Sequence, residues 1–184
     1  MPLIHVYHPA GSLTPERKAA LAEQLTHVII EIEGGPGVDG PRARAIAWVM
    51  FHEVAEDSWA IGGTFDDTHV SPPGKFLVKV QVPEGALSQA RKTLVHQAVD
   101  AAFFEVFGLG APPAPEDRKP SIFVMIHEWG EGNVGGFGRT HGLADIIGFA
   151  GDGSGKHADP AIQQHVQTYL QARKAWREAA GFPK

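Results

Sequence analysis

The sequence predicts an α+β fold: tandem β-α-β repeats forming a four-stranded mixed sheet with two helices on one face, followed by a C-terminal helical extension. Three observations predict it. Residues 3–32 fall over residues 77–106 at an offset of 74. Within both copies the apolar residues keep the spacing 0, 4, 7, 8 and 11, which is one face of an α-helix. A short β-rich segment precedes each helix and another follows it.

Taken in order, Leu3-Ile4-His5-Val6 aligns with Leu77-Val78-Lys79-Val80, Pro9 with Pro83 and Gly11 with Gly85. Thr14 and Ser88 stand where helix N-caps belong, and Pro15 suits the first helical position. Arg17-Lys18 aligns with Arg91-Lys92. The helix faces follow: Leu21, Leu25, Val28, Ile29 and Ile32 over Val95, Val99, Ala102, Phe103 and Val106. Gly34 and Gly108 mark the two helix ends. The strand from Ala45 to Val54 then matches Pro120 to Trp129 and shares a His-Glu pair, His52-Glu53 and His127-Glu128. Both copies reach a glycine pair, Gly62-Gly63 and Gly135-Gly136. Repeat 1 thus spans 2–63 and repeat 2 spans 76–136. A strand-helix-strand link of this length implies a parallel pair with a right-handed crossover in each half.

Residues 33–44, 64–75 and 108–120, rich in Gly, Pro and Asp, read as connectors. Residues 148–158 read as a glycine-rich linker before a helix that starts at Asp159-Pro160 and ends near Gly181. Its stripe of Ile162, Val166, Tyr169, Leu170 and Trp176 is interrupted by Arg173. This tail lies outside the repeat, and we expect its stripe to pack across an oligomer interface.

Composition narrows the function. With 43% hydrophobic residues the chain is ordinary for a soluble protein. The absence of cysteine excludes disulfides, thiolate metal sites and cysteine nucleophiles, and fits a reducing compartment. A net charge of −5 supplies no basic field for nucleic acid. No apolar run approaches the roughly 18 residues of a membrane span. The N-terminus has no signal-peptide pattern, so a cytoplasmic location is expected.

Met1-Pro2 leads straight into a strand, then come Gly11, Thr14, Arg17-Lys18, Glu53-Val54 and Trp59-Ala60-Ile61-Gly62-Gly63. This pattern resembles the 4-oxalocrotonate tautomerase family. The tandem arrangement resembles the fused members of that superfamily, the cis-3-chloroacrylic acid dehalogenase and malonate semialdehyde decarboxylase groups among them. Gly136-Phe137-Gly138-Arg139 is similar to a Tyr-Gly-Arg segment of the dehalogenase. The resemblance covers roughly residues 2–145 and implies a single tautomerase-like domain over 1–147. It further implies a homotrimer of fused chains, no cofactor, and a keto-enol tautomerase acting on a small unsaturated or enolic carboxylic acid. Pro2, freed by removal of Met1, would be the general base and acid.

The chemistry suits that terminus. An α-amine has a reference pKa of about 7.7–8.0, and apolar walls or a nearby cation lower it further. Such an amine can move a proton between carbon and oxygen, or form an iminium with a carbonyl. While Met1 remains, the Pro2 nitrogen is an amide and is not basic. The second copy places Phe76 at the corresponding internal position, so one site per chain is expected.

The substrate-binding residues depart from the family. Ser12 or Leu13 stands where the tautomerase has its first-loop arginine, and Trp48 where it has the second-strand arginine. Trp59 takes the place of its active-site phenylalanine. The dehalogenase's helix histidine aligns with Ile29, beside His27, and its arginine pair with Pro83 and Ala86. Its tyrosine and glutamate map near Met125 and Gly135, leaving Arg139 as the retained arginine. The expected substrate-binding set is therefore Trp48, Trp59, Arg42, Arg44 and Arg139, with Lys79 as a further cation. The departures keep two other readings open: a dehalogenase, hydratase or decarboxylase-type lyase using Pro2, and a non-catalytic binding member of the fold. The ten histidines form no His-Glu-x-x-His arrangement, and no metal site is expected. His5 and His8 point to opposite faces of the first strand, and either is a candidate neighbour of the amine. The stretch Gly151 to Lys156 lacks the first glycine and the Ser/Thr of a phosphate loop.

Overall fold

The computed structural model describes residues 2–150 and 159–181. The expected tandem units are present. Strand β1 (Leu3–Pro9) runs into helix α1 (Pro15–Gly34), a short helix α2 (Pro41–Ala45) and strand β2 (Trp48–Val54). Strand β3 (Phe76–Pro83), helix α3 (Gln89–Val106) and strand β4 (Ile122–Trp129) repeat the plan. The sheet order is β2-β1-β3-β4, with β1 parallel to β2, β3 parallel to β4, and β1 antiparallel to β3. Each unit closes its own parallel pair, and the two units join edge to edge.

The repeat is visible in the chemistry of the turns. Thr14 and Ser88 are both N-caps whose hydroxyl oxygens accept the N–H of Arg17 and Arg91. Gly11 and Gly85 both take a positive φ, +74° and +84°. Lys18 donates to Glu53 at 2.9 Å, and in the second unit Lys92 donates to Glu128 at 2.5 Å. The glycine pairs are where the symmetry breaks. Gly62 and Gly63 have positive φ and form the tight turn that bridges Ile61 to Thr64. Gly135 and Gly136 instead lie in β5 (Val134–Gly136), which pairs with β6 (Arg139–His141). There a Cβ on Gly135 would meet the Arg139 carbonyl oxygen at 3.0 Å.

Period-two alternation splits the sheet into two faces. Ile4, Val6, Val78, Val80 and Val82 bury against Leu21, Leu25 and Ile29 of α1 and Val95, Val99 and Phe103 of α3. Among the described residues the other face carries no helix. Its cross-strand rows read Trp48-Leu3-Gln81-His127, Met50-His5-Lys79-Met125 and His52-Tyr7-Leu77-Phe123.

Two expectations need correction. Residues 148–150 are not linker; they end helix α4 (Leu143–Ala150). The rest of the glycine-rich stretch, 151–158, lies outside the described residues. The C-terminal helix α5 (Pro160–Ala179) does not reserve its stripe for another chain. Ile162 and Val166 sit in the same buried cluster as the sheet, with Leu143 and Ile147 of α4. Only the end of the stripe departs, with Trp176 exposed.

Candidate active site

Pro2 is buried at the start of β1, where its carbonyl accepts the backbone N–H of Trp48 at 3.0 Å. This bond starts the parallel ladder that continues with Leu3 beside Trp48. Pro2 has the parity of Ile4 and Val6, so it faces the helices. It opens onto a cavity of about 30 Å³, space for little more than a water molecule. The end of α1 contributes Ile30, Glu33 and Gly34, and the α1–β2 connection contributes Val38, Ala43 and Ile46. Ala86 enters from the turn after β3. The remaining wall is Leu143, Ile146, Ile147 and Ala150 of α4 and Val166 of α5. Among these described lining residues Glu33 is the one with a charged side chain.

The equivalent place in the second unit is filled. Phe76 is buried and packs on Phe103 and Phe107 at centroid distances of 4.7 and 5.6 Å. An aromatic cluster thus occupies the volume that the first unit leaves beside Pro2.

None of the expected substrate-binding residues lines the cavity. Arg44 donates to both carboxylate oxygens of Glu23, at 2.8 Å each, and to Asp39 at 2.6 and 2.8 Å. These bonds hold the Asp39 carboxyl below its usual range, with His27 adding a contact at 2.7 Å, and raise the guanidinium's own pKa. Arg42 is exposed on α2, whose neighbouring Ala43 faces the cavity instead. Trp48 is 64% exposed on the helix-free face. Trp59 follows the short 3₁₀ turn at Glu56–Ser58, beyond the opposite end of β2 from Pro2. Arg139 is exposed on the β5–β6 hairpin. Lys79 lies on the helix-free face over the Tyr7 ring, 5.1 Å from its centroid.

The two first-strand histidines separate as their parity requires. His5 lies on the helix-free face, where its Nδ1 is 2.8 Å from His52 Nε2. His8 is fully enclosed on the other side, its Nδ1 2.9 Å from the Pro9 carbonyl. Neither lines the cavity. No group of three or more His, Asp or Glu able to hold a metal occurs among the described residues.

Sequence reasoning did not find Glu33 or the α4 wall, and it reached Ala86 only as the position of a missing arginine. For α4 a signal existed: Leu143, Ile146, Ile147 and Ala150 stand at i, i+3, i+4 and i+7, one helical face.

With this geometry in place, comparison with known proteins identifies the architecture. Residues 2–66 match the family model described as Tautomerase enzyme. That match covers the first β-α-β unit and the turn after it. A fused 4-OT wild-type asymmetric trimer is 22% identical with a TM-score of 0.56, over 75% of this chain and 94% of that one. N1, a member of the cis-3-chloroacrylic acid dehalogenase family, is 20% identical with a TM-score of 0.59, over 90% of this chain and 99% of that one. Macrophage migration inhibitory factor of Toxoplasma gondii is 16% identical with a TM-score of 0.51, over 76% of this chain and 99% of that one. At these identities the likeness is one of fold. Comparison with curated proteins gives no match. No helix among the described residues is long and apolar enough to cross a membrane.

Proposed function

We propose that this chain is a member of the tautomerase superfamily and a keto-enol tautomerase in which the Pro2 amine, exposed by removal of Met1, is general base and acid. The observation that carries the reading is the placement of Pro2 in a small, mostly apolar pocket at the start of β1. Apolar walls favour the neutral amine, which can take a proton from an enol oxygen or carbon and return it at the other end of the conjugated system. The Trp48 N–H to Pro2 carbonyl bond fixes where that nitrogen stands. Glu33 sits in the wall as a counter-charge to the ammonium form. The substrate class is a small enol or unsaturated carbonyl acid, and the working form is a homotrimer in a reducing cytoplasm. Trp59 and Arg139 would then reach an amine site from a second protomer.

Among the described residues no arginine lines the cavity, which favours one competing reading, a non-catalytic binding member of the fold. The deciding experiment starts by confirming from intact mass that the chain begins at Pro2. Ketonisation of phenylenolpyruvate and of 2-hydroxymuconate is then measured for native protein and Pro2→Ala. Loss of a general base costs about 10²–10⁴-fold in rate, and that loss is expected here. Equal rates in the two proteins would overturn the amine mechanism. No turnover in either, with the fold intact, would favour the binding reading.

A further inference from the structure

We propose that the helix-free face of the sheet carries a binding site for a small oxyanion, a phosphate or a carboxylate, centred on Lys79 and His5.

The strand register sets these two residues opposite each other, His5 on β1 and Lys79 on β3. They are also equivalent positions of the repeat, 74 residues apart. The twofold relation between the two units therefore passes through this pair. Met50 and Met125 flank it on the edge strands β2 and β4. The middle of the face is thus a polar, half-buried pair on the two central strands.

The chain has a net charge of −5, yet none of the three cross-strand rows of this face holds a carboxylate. Glu53 and Glu128 have the opposite parity, and Lys18 and Lys92 take them on the other side of the sheet. Among the described residues the Lys79 ammonium meets no carboxylate. Its contact is the face of the Tyr7 ring. Arg91, Arg118 and Arg173, by contrast, each hold an acidic side chain. The uncompensated charge reaches His5, whose pKa is pushed down by burial first and then by His52 and Lys79. A surface of this kind attracts an anion.

The donors around the pair suit an oxyanion. Lys79 offers an ammonium, and Gln81, two residues along β3 on the same face, offers a carboxamide NH₂. His5 Nδ1 lies 2.8 Å from His52 Nε2. In the tautomer in which His52 Nε2–H donates, the His5 Nε2–H is left to donate to a ligand. A phosphate or carboxylate brings two or more oxygens to separate donors, whereas chloride has a single centre to share among them. Pro2 faces the helices across the sheet, so this site does not depend on the amine reading.

Calorimetric titration of the full chain tests the site. Inorganic phosphate and malonate are titrated at neutral pH and constant ionic strength, set by sodium chloride so that chloride competes throughout. Binding of at least one oxyanion is expected, and the tighter of the two names the source. Lys79→Met keeps the length of the side chain and removes the charge, and is expected to weaken binding about tenfold or more. Lys79→Gln serves the same purpose should that variant misfold. Lys79→Arg is expected to keep most of the affinity, and Lys174→Gln, a cation exposed on α5, to leave it unchanged. No binding of either oxyanion at millimolar concentration overturns the proposal, as does equal affinity in a folded variant without the Lys79 charge. Sedimentation in the same buffers keeps the homotrimer reading separate: binding that needs Lys79 in a monomer leaves this site standing and sinks only the assembly.

Discussion

His8 faces α1 from the end of β1 with its ring fully enclosed, and no hydrogen-bond partner meets its Nε2. Burial pushes its pKa down from 6.5, against the raising effect of the Pro9 carbonyl, with Lys18 adding to the lowering. His5, on the other face, moves the same way through burial and the neighbouring His52 and Lys79. A histidine with a lowered folded pKa binds its proton more readily when unfolded. Its stabilising effect is therefore complete above about 6.5 and is lost as pH falls below that value towards the folded pKa. Thermal denaturation between pH 7.5 and 5 is expected to show a falling Tm, and His8→Gln is expected to flatten that fall. A slope equal to the native one would show that His8 is not a source of it. The same residue scale distinguishes the two half-units: Pro2 borders free volume, whereas Phe76 fills it.

Among the elements, the repeat's glycines have diverged in use. Gly11 and Gly85 share the same turn, but a Cβ on Gly11 meets nothing, while one on Gly85 would lie 2.3 Å from the Tyr169 ring of α5. Gly35 receives the other end of α5, where a Cβ would lie 2.8 Å from Asp159. The Arg91 guanidinium joins that corner, donating to Asp159 at 3.0 Å and to the Ile32 carbonyl near the end of α1. Alanine in a left-handed position costs about 1–2 kcal/mol at either glycine. Gly85→Ala is expected to cost distinctly more than Gly11→Ala in urea unfolding, because it also displaces α5. Equal costs would mean that Tyr169 does not need that space. For α4, whose Leu143 N–H donates to Glu131 at 3.2 Å, Glu131→Ala removes a cap, a loss of about 0.5–2 kcal/mol. Hydrogen exchange of the amides of residues 143–150 is expected to accelerate, with the core of α3 unchanged.

At the scale of the whole molecule, the helix-free face of the sheet exposes Trp48, Met50, Phe123 and Met125. These residues stand on the two edge strands, β2 and β4, with His5, Lys79 and Gln81 between them, and exposed large apolar side chains on one face are what an interface would cover. Three of the fused 4-OT structures similar to this chain are described as trimers, two asymmetric and one symmetric. Assembly of three copies through this face is the proposal that follows. Sedimentation is expected to give a trimer for the native chain and a smaller species for Trp48→Glu combined with Phe123→Glu. A trimer surviving both substitutions would move the interface elsewhere.

Much of the architecture was legible because it is written in short-range terms. Alternation specified the two sheet faces, the 0, 4, 7, 8, 11 spacing specified the helices, and cap residues specified where they begin. The in-register repeat singled out Pro2 against Phe76. The site walls were not legible in the same way. Arg42 and Arg44 sit beside the right strand, yet Arg44 finds Glu23 and Asp39 across space. The α5 stripe was readable as apolar, but not which surface it would cover. By itself the sequence determined the repeated units, their topology and the difference between Pro2 and its counterpart Phe76. Tertiary structure alone decided that α4 and α5 close over that proline and that the arginines turn away from it. The reason is range: backbone periodicity and caps act within a few residues, whereas a cavity wall is assembled from segments far apart in the chain.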